Sequence, residues 1–549
     1  MGSNPKEGEM KKALFCLMMI LPSIMLAQVT EEWVARYNGS QSYDDRARDI
    51  AVDNTGNVYV TGSCYNPWTN WDYATFKYDS SGHQQWEALY DGPGHHRDNA
   101  VAIAVDNTGN VYVTGKSFGS VSGFDYATVK YSSSGHQQWV ARYDGPASFT
   151  DEVRDIAVDG SGNVYVTGYS KGSGTYYDYA TVKYNTSGIE QWVARDYGPG
   201  IDDKAAAIAV DDAGNVYVTG ISTGPETGDD YMTIKYNSSD PRAGWVARYN
   251  GPGGFEDRAR DIAVDNTGNV YVTGYSYTST THYDYLTVKY DSSGHQQWVA
   301  RYDGSASGED EAVAIALDDA GNVYVTGSSE GSWTSSDYAT VKYNSSGDVL
   351  WVARYDGPAN YQDRAVAIAV DNTDNVYVTG SIYGSGTTHY NYTTVKYNSS
   401  GVQQWVAMYN GPGSGEDEAR ALALDDAGNV YVTGSSEGSG TDDDYATIKY
   451  SQQTGIAEAS VDAPEYQLEV TQLASEPVIT YTLPVDTRIS LKLYDVTGQL
   501  VRTLVSGSQK AGTHTIYWPV THPKTPSGVY FVRLETSNRS ATAKLVVAR

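Results

Sequence analysis

Between residues 33 and 450 the chain runs repeatedly through one order of short apolar segments set between turn residues. From Gln84 to Tyr131 these are Trp86-Glu-Ala-Leu-Tyr90, the small apolar run Asn99-Ala-Val-Ala-Ile-Ala-Val105, the alternating run Asn110-Val-Tyr-Val-Thr114, and Tyr126-Ala-Thr-Val-Lys-Tyr131. Asp91-Gly-Pro-Gly94 and Asp106-Asn-Thr-Gly109 break them. Short alternating runs between such breakers predict strands, and no 3.6-residue period competes. The small apolar run suits a strand covered on both faces. Gly109 suits the left-handed position of a tight hairpin loop ending in a bulge.

Two landmarks keep one beat. Asn57, Asn110, Asn163, Asn215, Asn269, Asn322, Asn375 and Asn429 recur every 52 to 54 residues, as do Trp33, Trp86, Trp139, Trp192, Trp245, Trp298, Trp351 and Trp405. Eight copies of four antiparallel strands, apolar on both faces, describe propeller blades covered by their neighbours. A parallel β-helix would need much shorter coils, and isolated beads of this size could not bury a two-sided sheet. The array opens on an outer strand, Trp33-Tyr37, and closes on the inner three strands of the eighth copy, residues 419–450. The expected fold is all-β: an eight-bladed propeller closed by its N-terminal strand, which removes free edges.

The ends read differently. Lys11-Lys12, a short apolar core to Ala27 and a cut before Gln28 predict a secretory signal over 1–27, with Met10 the natural initiator and 1–9 a polar preface. Cys16 would leave with it, so Cys64 would stand alone and disulfides would play no part in stability. The signal is too short for a permanent span, so the mature chain is expected to have no transmembrane segment. Residues 451–464 read as a linker. Residues 465–549 alternate again, in six or seven short runs including Val478-Leu483, Ile489-Tyr494, Gly528-Leu534 and Ala541-Val547, which predict a small immunoglobulin-like β-sandwich.

The recurring Trp-Val-Ala-Arg-Tyr, Asp-Ile-Ala-Val-Asp, Gly-Asn-Val-Tyr-Val-Thr-Gly and Tyr-Ala-Thr-Val-Lys-Tyr resemble the bacterial secreted repeats named for a seven-bladed β-propeller, with eight copies here in place of seven. That resemblance implies the fold and no defined activity. Thr480-Tyr-Thr-Leu-Pro484, Leu493-Tyr-Asp-Val-Thr-Gly498, Ala511-Gly-Thr-His514, Ser527-Gly-Val-Tyr530 and Lys544-Leu-Val-Val547 resemble the C-terminal sorting domains of the Bacteroidetes-type secretion machinery and the related flagellar-hook-cap immunoglobulin fold. This resemblance implies that the domain is an address for the outer-membrane exporter. An accessory sandwich is the alternative.

Loops of such a ring fall on two faces. Those joining the first to second and third to fourth strands are uniform, as in Asp53-Asn-Thr-Gly56 and Asp79-Ser-Ser-Gly82. Those joining the second to third strands, and each outer strand to the next blade, vary. Recognition on a rigid scaffold usually lies in such loops. The variable set carries Tyr43, Tyr65, Trp68, Trp71, Phe118, Phe124, Phe149, Tyr177, Phe255, Tyr283, Trp333, Tyr361 and Tyr390. Rings amid Ser, Thr, Asn and Asp suit stacking on sugars or anchoring a protein. The competing reading is that they lid the spaces between blades.

Three charged series add candidate chemistry. An acid precedes each hairpin Asp by eight residues: Asp45, Asp98, Asp151, Asp203, Asp257, Asp310, Asp363 and Asp417. Another opens the third strand: Asp72, Asp125, Asp178, Asp230, Asp284, Asp337 and Asp444, with Asn391 in the seventh copy. Both could supply oxygens to a cation such as Ca²⁺, which wants six to eight ligands. Capping of backbone N–H groups explains one Asp per blade more economically. On the innermost strand Asp49, Asp155 and Asp261 each follow an Arg, Arg48, Arg154 and Arg260, and Arg420 precedes Ala421; charge compensation beside the axial channel is the expectation.

The chain carries 38 basic and 67 acidic side chains, a net charge of −29, with about −32 on residues 28–460 and +2 on 461–549. Such a field argues against nucleic acid and favours cations or basic partners. No zinc-like spacing surrounds His95-His96, and no nucleophile elbow or nucleotide loop occurs. Acid pairs such as Asp44-Asp45 could serve a glycosidase, but acids this abundant make the coincidence uninformative. The expected function is noncatalytic: a secreted or surface-displayed recognition or scaffold protein, without a required cofactor, binding a glycan or an extracellular protein. The alternatives are a structural envelope component and an extracellular polysaccharide hydrolase or lyase.

Overall fold

The computed structural model describes residues 29–452 except 40–42, 121, 175, 307, 332–333, 360, 385–388 and 414. In the C-terminal part it describes 467–471, 478–483, 487–495, 499–510, 512–517, 528–536 and 540–547. The expected signal and most of the expected linker lie outside the described residues, although 451–452 belong to a strand.

The repeats form eight antiparallel four-stranded sheets. In the first blade the order from the axis outward is Asp45–Val52, Val58–Asn66, Asn70–Tyr78 and Gln84–Tyr90. The eighth takes Asp417–Leu424, Val430–Glu437 and Asp443–Gln452 from the end of the array and Val29–Tyr37 from its beginning. Val34 pairs with Ile448 and Tyr37 with Tyr445. The innermost strand of the eighth blade also packs on that of the first, so the ring closes.

What holds the ring shut is written once per repeat. The middle strands supply buried side chains to both faces, such as Val58, Tyr59, Val60, Tyr73, Ala74 and Phe76, and the clusters run across blade boundaries. The third-strand tyrosine donates its hydroxyl to a backbone carbonyl one blade ahead: Tyr73 to Ala127, Tyr126 to Ala180, Tyr179 to Met232, and onward to Tyr392 to Ala446. Tyr445 completes the circle on Ala74 at 3.2 Å. At the rim the Trp33 indole donates to the Ser80 carbonyl in the next blade, and its ring fills the space where any side chain at Gly82 would lie.

The uniform face is built from one turn. The Asp53 carboxylate accepts the backbone N–H groups of Thr55 and Asn57 at 2.9 Å, the Asn57 amide at 2.7 Å and the Tyr59 hydroxyl at 2.9 Å. Gly56 takes a φ of +77°, and Asp374 holds the same left-handed position at +61° in the seventh copy. A lysine on the third strand then lies over the same tyrosine, as Lys77 over Tyr59 at 5.1 Å.

Each innermost strand carries a bulge. In the first blade the register shifts between Ala47 and Asp49, leaving Arg48 as the extra residue. The Asp49 carboxylate accepts the backbone N–H of Ile50 at 2.8 Å and of Ile103, in the second blade, at 2.9 Å. Asp155 and Asp261 repeat this toward Ile208 and Ile315. The expected Arg–Asp compensation is therefore not what forms: the bulge sends the arginine away, and two backbone amides satisfy each acid.

The second unit, Thr454–Arg549, is a β-sandwich. One sheet contains Gln467–Thr471, Val478–Leu483 and Gly512–Tyr517; the other contains Leu500–Gln509, Thr487–Asp495, Gly528–Glu535 and Ser540–Val547 in that order. Ile479, Tyr481, Leu491, Leu493, Val532, Leu534 and Leu545 fill the space between them. Gln467–Thr471 adds the seventh strand to the six most legible runs.

Candidate functional site

The variable face is assembled from hairpin tips. Register places the residue near the end of the second strand opposite the one opening the third, which pairs Tyr65 with Trp71, Phe118 with Phe124, Tyr277 with Tyr283 and Tyr383 with Tyr390. These rings lie 5.1 to 5.8 Å apart, edge to face. A ring from the preceding loop joins three pairs: Tyr43 on Tyr65 at 5.0 Å, Phe255 on Tyr277 at 5.3 Å and Tyr361 on Tyr383 at 4.8 Å. Tyr177 meets Tyr169 at 5.2 Å.

Exposure sorts the candidate rings. Trp68 is 87% exposed, and Tyr43, Phe149, Phe255 and Tyr361 are also exposed. Tyr65, Trp71, Phe118, Phe124, Tyr177, Tyr283 and Tyr390 are half-buried. Trp333 lies outside the described residues. The sequence reading missed Tyr169, Tyr277 and Tyr383, which belong to these groups; their signal is the pairing register, which a list of loop residues does not contain.

The acid series eight residues before the hairpin sits beneath this surface and caps it. The Asp98 carboxylate accepts the N–H of Gly92 at 2.6 Å and of Phe118 at 2.9 Å, tying the loop from the first blade to the second. Asp45, Asp151, Asp203, Asp257, Asp310, Asp363 and Asp417 hold Gly39, Gly145, Gly198, Gly251, Gly304, Gly357 and Gly411 in the same way. All eight are buried, and burial pushes each carboxyl above its ordinary value, Asp151 and Asp363 to about 6.

The second acid series is held by an arginine in five blades, while in the fourth Asp230 accepts from the Thr227 hydroxyl. Arg142 donates to Asp125 Oδ2 at 2.7 Å, to the Ser117 hydroxyl and carbonyl, and to the Tyr90 hydroxyl of the preceding blade. Arg36, Arg195, Arg301 and Arg354 make the same ion pair with Asp444, Asp178, Asp284 and Asp337. In the seventh copy acid and arginine are lost together, to Asn391 and Met408. In the first, Leu89 replaces the arginine while Asp72 remains.

Among the described residues, four groups of carboxylates with oxygens within 4.8 Å of one another could hold a cation such as Ca²⁺: Asp72, Asp91 and Asp98; Asp125, Asp144 and Asp151; Asp284, Asp303 and Asp310; and Asp337, Asp356 and Asp363. Three already contain a guanidinium, from Arg142, Arg301 or Arg354. The first has instead His95, whose ring lies 2.6 Å from Asp91 and whose pKa that hydrogen bond raises.

Where the innermost strands of blades three to five reach this face, they enclose an open cavity of about 660 Å³ lined by Arg154, Tyr169, Asp202, Lys204, Asp229, Arg258 and Arg260, with alanines and Ile221 between.

Comparison with known proteins matches this architecture at both ends. A family model described as a beta-propeller repeat matches residues 32–66, 138–174, 191–225, 245–279, 297–332 and 404–440. The chain is a β-propeller repeat protein. Residues 476–548 match the secretion system C-terminal sorting domain, so this propeller belongs to a secreted or cell-surface protein addressed to outer-membrane secretion machinery. No helix among the described residues is long and apolar enough to cross a membrane.

One curated relative, an uncharacterized WD repeat-containing protein of Acanthamoeba polyphaga mimivirus, is 32% identical over 116 residues, covering 17% of this chain and 8% of its own length. Among solved structures, a protein of unknown function from Dyadobacter fermentans is 9% identical with a TM-score of 0.37, covering 77% of this chain and 99% of its own. The β-propeller domain of the Trilobed protease from Pyrococcus furiosus is 8% identical with a TM-score of 0.39, covering 77% of this chain and all of its own.

Proposed function

We propose that this β-propeller repeat protein is a noncatalytic recognition protein that binds a glycan or an extracellular protein on the variable face. The supporting observation is the set of packed aromatic groups at the hairpin tips, where half-buried rings brace the exposed rings of Tyr43 and Phe255 edge to face and that of Tyr361 at a tilt. Rings held by their neighbours lose little freedom when they stack on a sugar or enter a protein pocket.

Most of the buried acids are committed to backbone caps and arginine pairs, and Asp72 and Asp230 accept from threonine hydroxyls, which favours binding over acid–base chemistry. A screen of the 28–460 segment against glycans and surface proteins, run beside a polysaccharide-degradation assay, tests this reading. Binding without turnover is expected. Degradation of a polysaccharide, or a blank in both screens, would overturn it.

A further inference from the structure

The bulge on each innermost strand decides which residue is turned out of the ladder. The extra residue is Arg154 in the third blade, Ala206 in the fourth and Arg260 in the fifth. An inserted residue of this kind is turned out of the ladder and re-aimed. Here two arginines are turned toward one cavity, and Lys204 and Arg258 reach it from ordinary positions on adjacent strands. Its wall carries four cations against two carboxylates, in a propeller whose net charge is about −32.

The pairing inside leaves capacity for a ligand. Lys204 lies 3.1 Å from Asp202, and Arg258 lies 3.0 Å from Asp229 and 3.2 Å from Glu256, so these two cations are already compensated. Arg154 donates to the Tyr169 hydroxyl at 2.9 Å and lies 3.4 Å from Glu152. Arg260 donates to the Tyr275 hydroxyl at 2.9 Å and, among the described residues, forms no ion pair. Glu311 on the next innermost strand lies in its field without reaching it. Both bulge arginines are exposed. A guanidinium fork matches a carboxylate or sulfate, while fixed carboxylates accept hydrogen bonds from hydroxyls.

We infer that this cavity binds a short acidic saccharide, its carboxylate or sulfate held by Arg154 and Arg260 and its hydroxyls facing Asp202 and Asp229. The inference rests on the recognition reading and names the ligand class and the subsite. Size agrees, since about 660 Å³ falls within the range of small-ligand sites. The surrounding negative field sets the length. At physiological salt charges are screened beyond about 8 Å, so the local cations govern a short ligand, whereas a long polyanion would run over repelling surface.

The test is calorimetric titration of the full chain with di- and trisaccharides ending in a uronic acid, with their methyl esters, and with sulfated and neutral analogues. Arg154→Ala, Arg260→Ala and, on the opposite face, Arg242→Ala would be titrated alongside, with melting temperatures to show that each variant folds. The expected result is binding of an acidic sugar at least tenfold tighter than its ester, weakened at least tenfold by Arg154→Ala and Arg260→Ala and unchanged by Arg242→Ala. The uronate and sulfate arms identify which oxyanion is taken. Equal binding of esters and acids, or acid binding indifferent to both bulge variants, would overturn this inference and leave recognition standing. Capture of acidic peptides instead of saccharides would overturn the ligand class, and silence toward every glycan and protein would take the recognition reading with it.

Discussion

One aspartate per blade does more than close a loop. Asp106 accepts from the Thr108 and Asn110 amides, the Thr108 hydroxyl, the Asn110 side chain and the Tyr112 hydroxyl, and these bonds hold its carboxyl down at about 2 despite burial. Asp106→Ala would orphan several donors at once and should cost about 2–3 kcal/mol, visible in calorimetry as a lower melting temperature. The axial acids respond oppositely. Burial lifts Asp49 and Asp261 to about 6 and Asp155 to about 7, against an ordinary value of 3.8, although two backbone amides pull each one back. A carboxyl raised in the folded state stabilises it below the unfolded value and loses that contribution as pH climbs through 6 to 7. Asp53, Asp106, Asp159, Asp265, Asp318 and Asp371, held low by their hydrogen bonds despite burial, contribute above the unfolded value and lose that contribution as pH falls below it. Melting temperature should therefore peak near about pH 4, fall between about pH 4 and 7 as the raised acids ionise, and level off above that; Asp155→Ala should make that fall shallower. The hairpin acids were legible because each sits four residues before an asparagine and, in every copy but the seventh, three before a glycine. The bulge arginines were legible as a series but not in their direction, because a one-residue slip in register reverses where a side chain points and leaves no mark on the composition.

Among the elements, the decisive one is Val29–Tyr37. It supplies the outer edge of the eighth blade, and its tryptophan and tyrosine pack on the first blade, Tyr37 against Phe76 at 4.3 Å. The closure was legible in the order of runs alone: an outer strand stands before the first copy and is missing after the last. The tip pairs Tyr277–Tyr283 and Tyr383–Tyr390 were only half legible, because the partner across a hairpin depends on loop length, which varies from blade to blade. Removing residues 29–37 should leave Asp443–Gln452 as a bare edge of unpaired N–H and carbonyl groups, a template for other chains. Size-exclusion chromatography with light scattering should show oligomers that the intact chain lacks, and calorimetry a lower melting temperature. An unchanged monomer would mean that the edge is protected without the strand.

At the scale of the whole chain, function divides as the charge does. The propeller is strongly acidic, the sandwich carries about +2, and each has its own core. The uniform face repeats the same turn around the ring, while the loops of the variable face differ from blade to blade, so the shared scaffold and the variable surface lie at opposite ends of the same strands. A ring closed by its own N-terminal strand, linked at every junction by a tyrosine hydroxyl including Tyr445 to Ala74, is a compact unit ending at Gln453 and should fold without the residues beyond it. The match of 476–548 to a secretion system sorting domain assigns those residues to delivery. Deleting 465–549 should therefore leave the melting temperature and ligand binding of the propeller intact while the protein fails to reach the cell surface or medium, as cell fractionation would show. Unchanged export would sink the sorting role, and an unfolded propeller would instead show that the sandwich is part of its stability. The two failures fall in different assays, because the two units have separate hydrophobic cores.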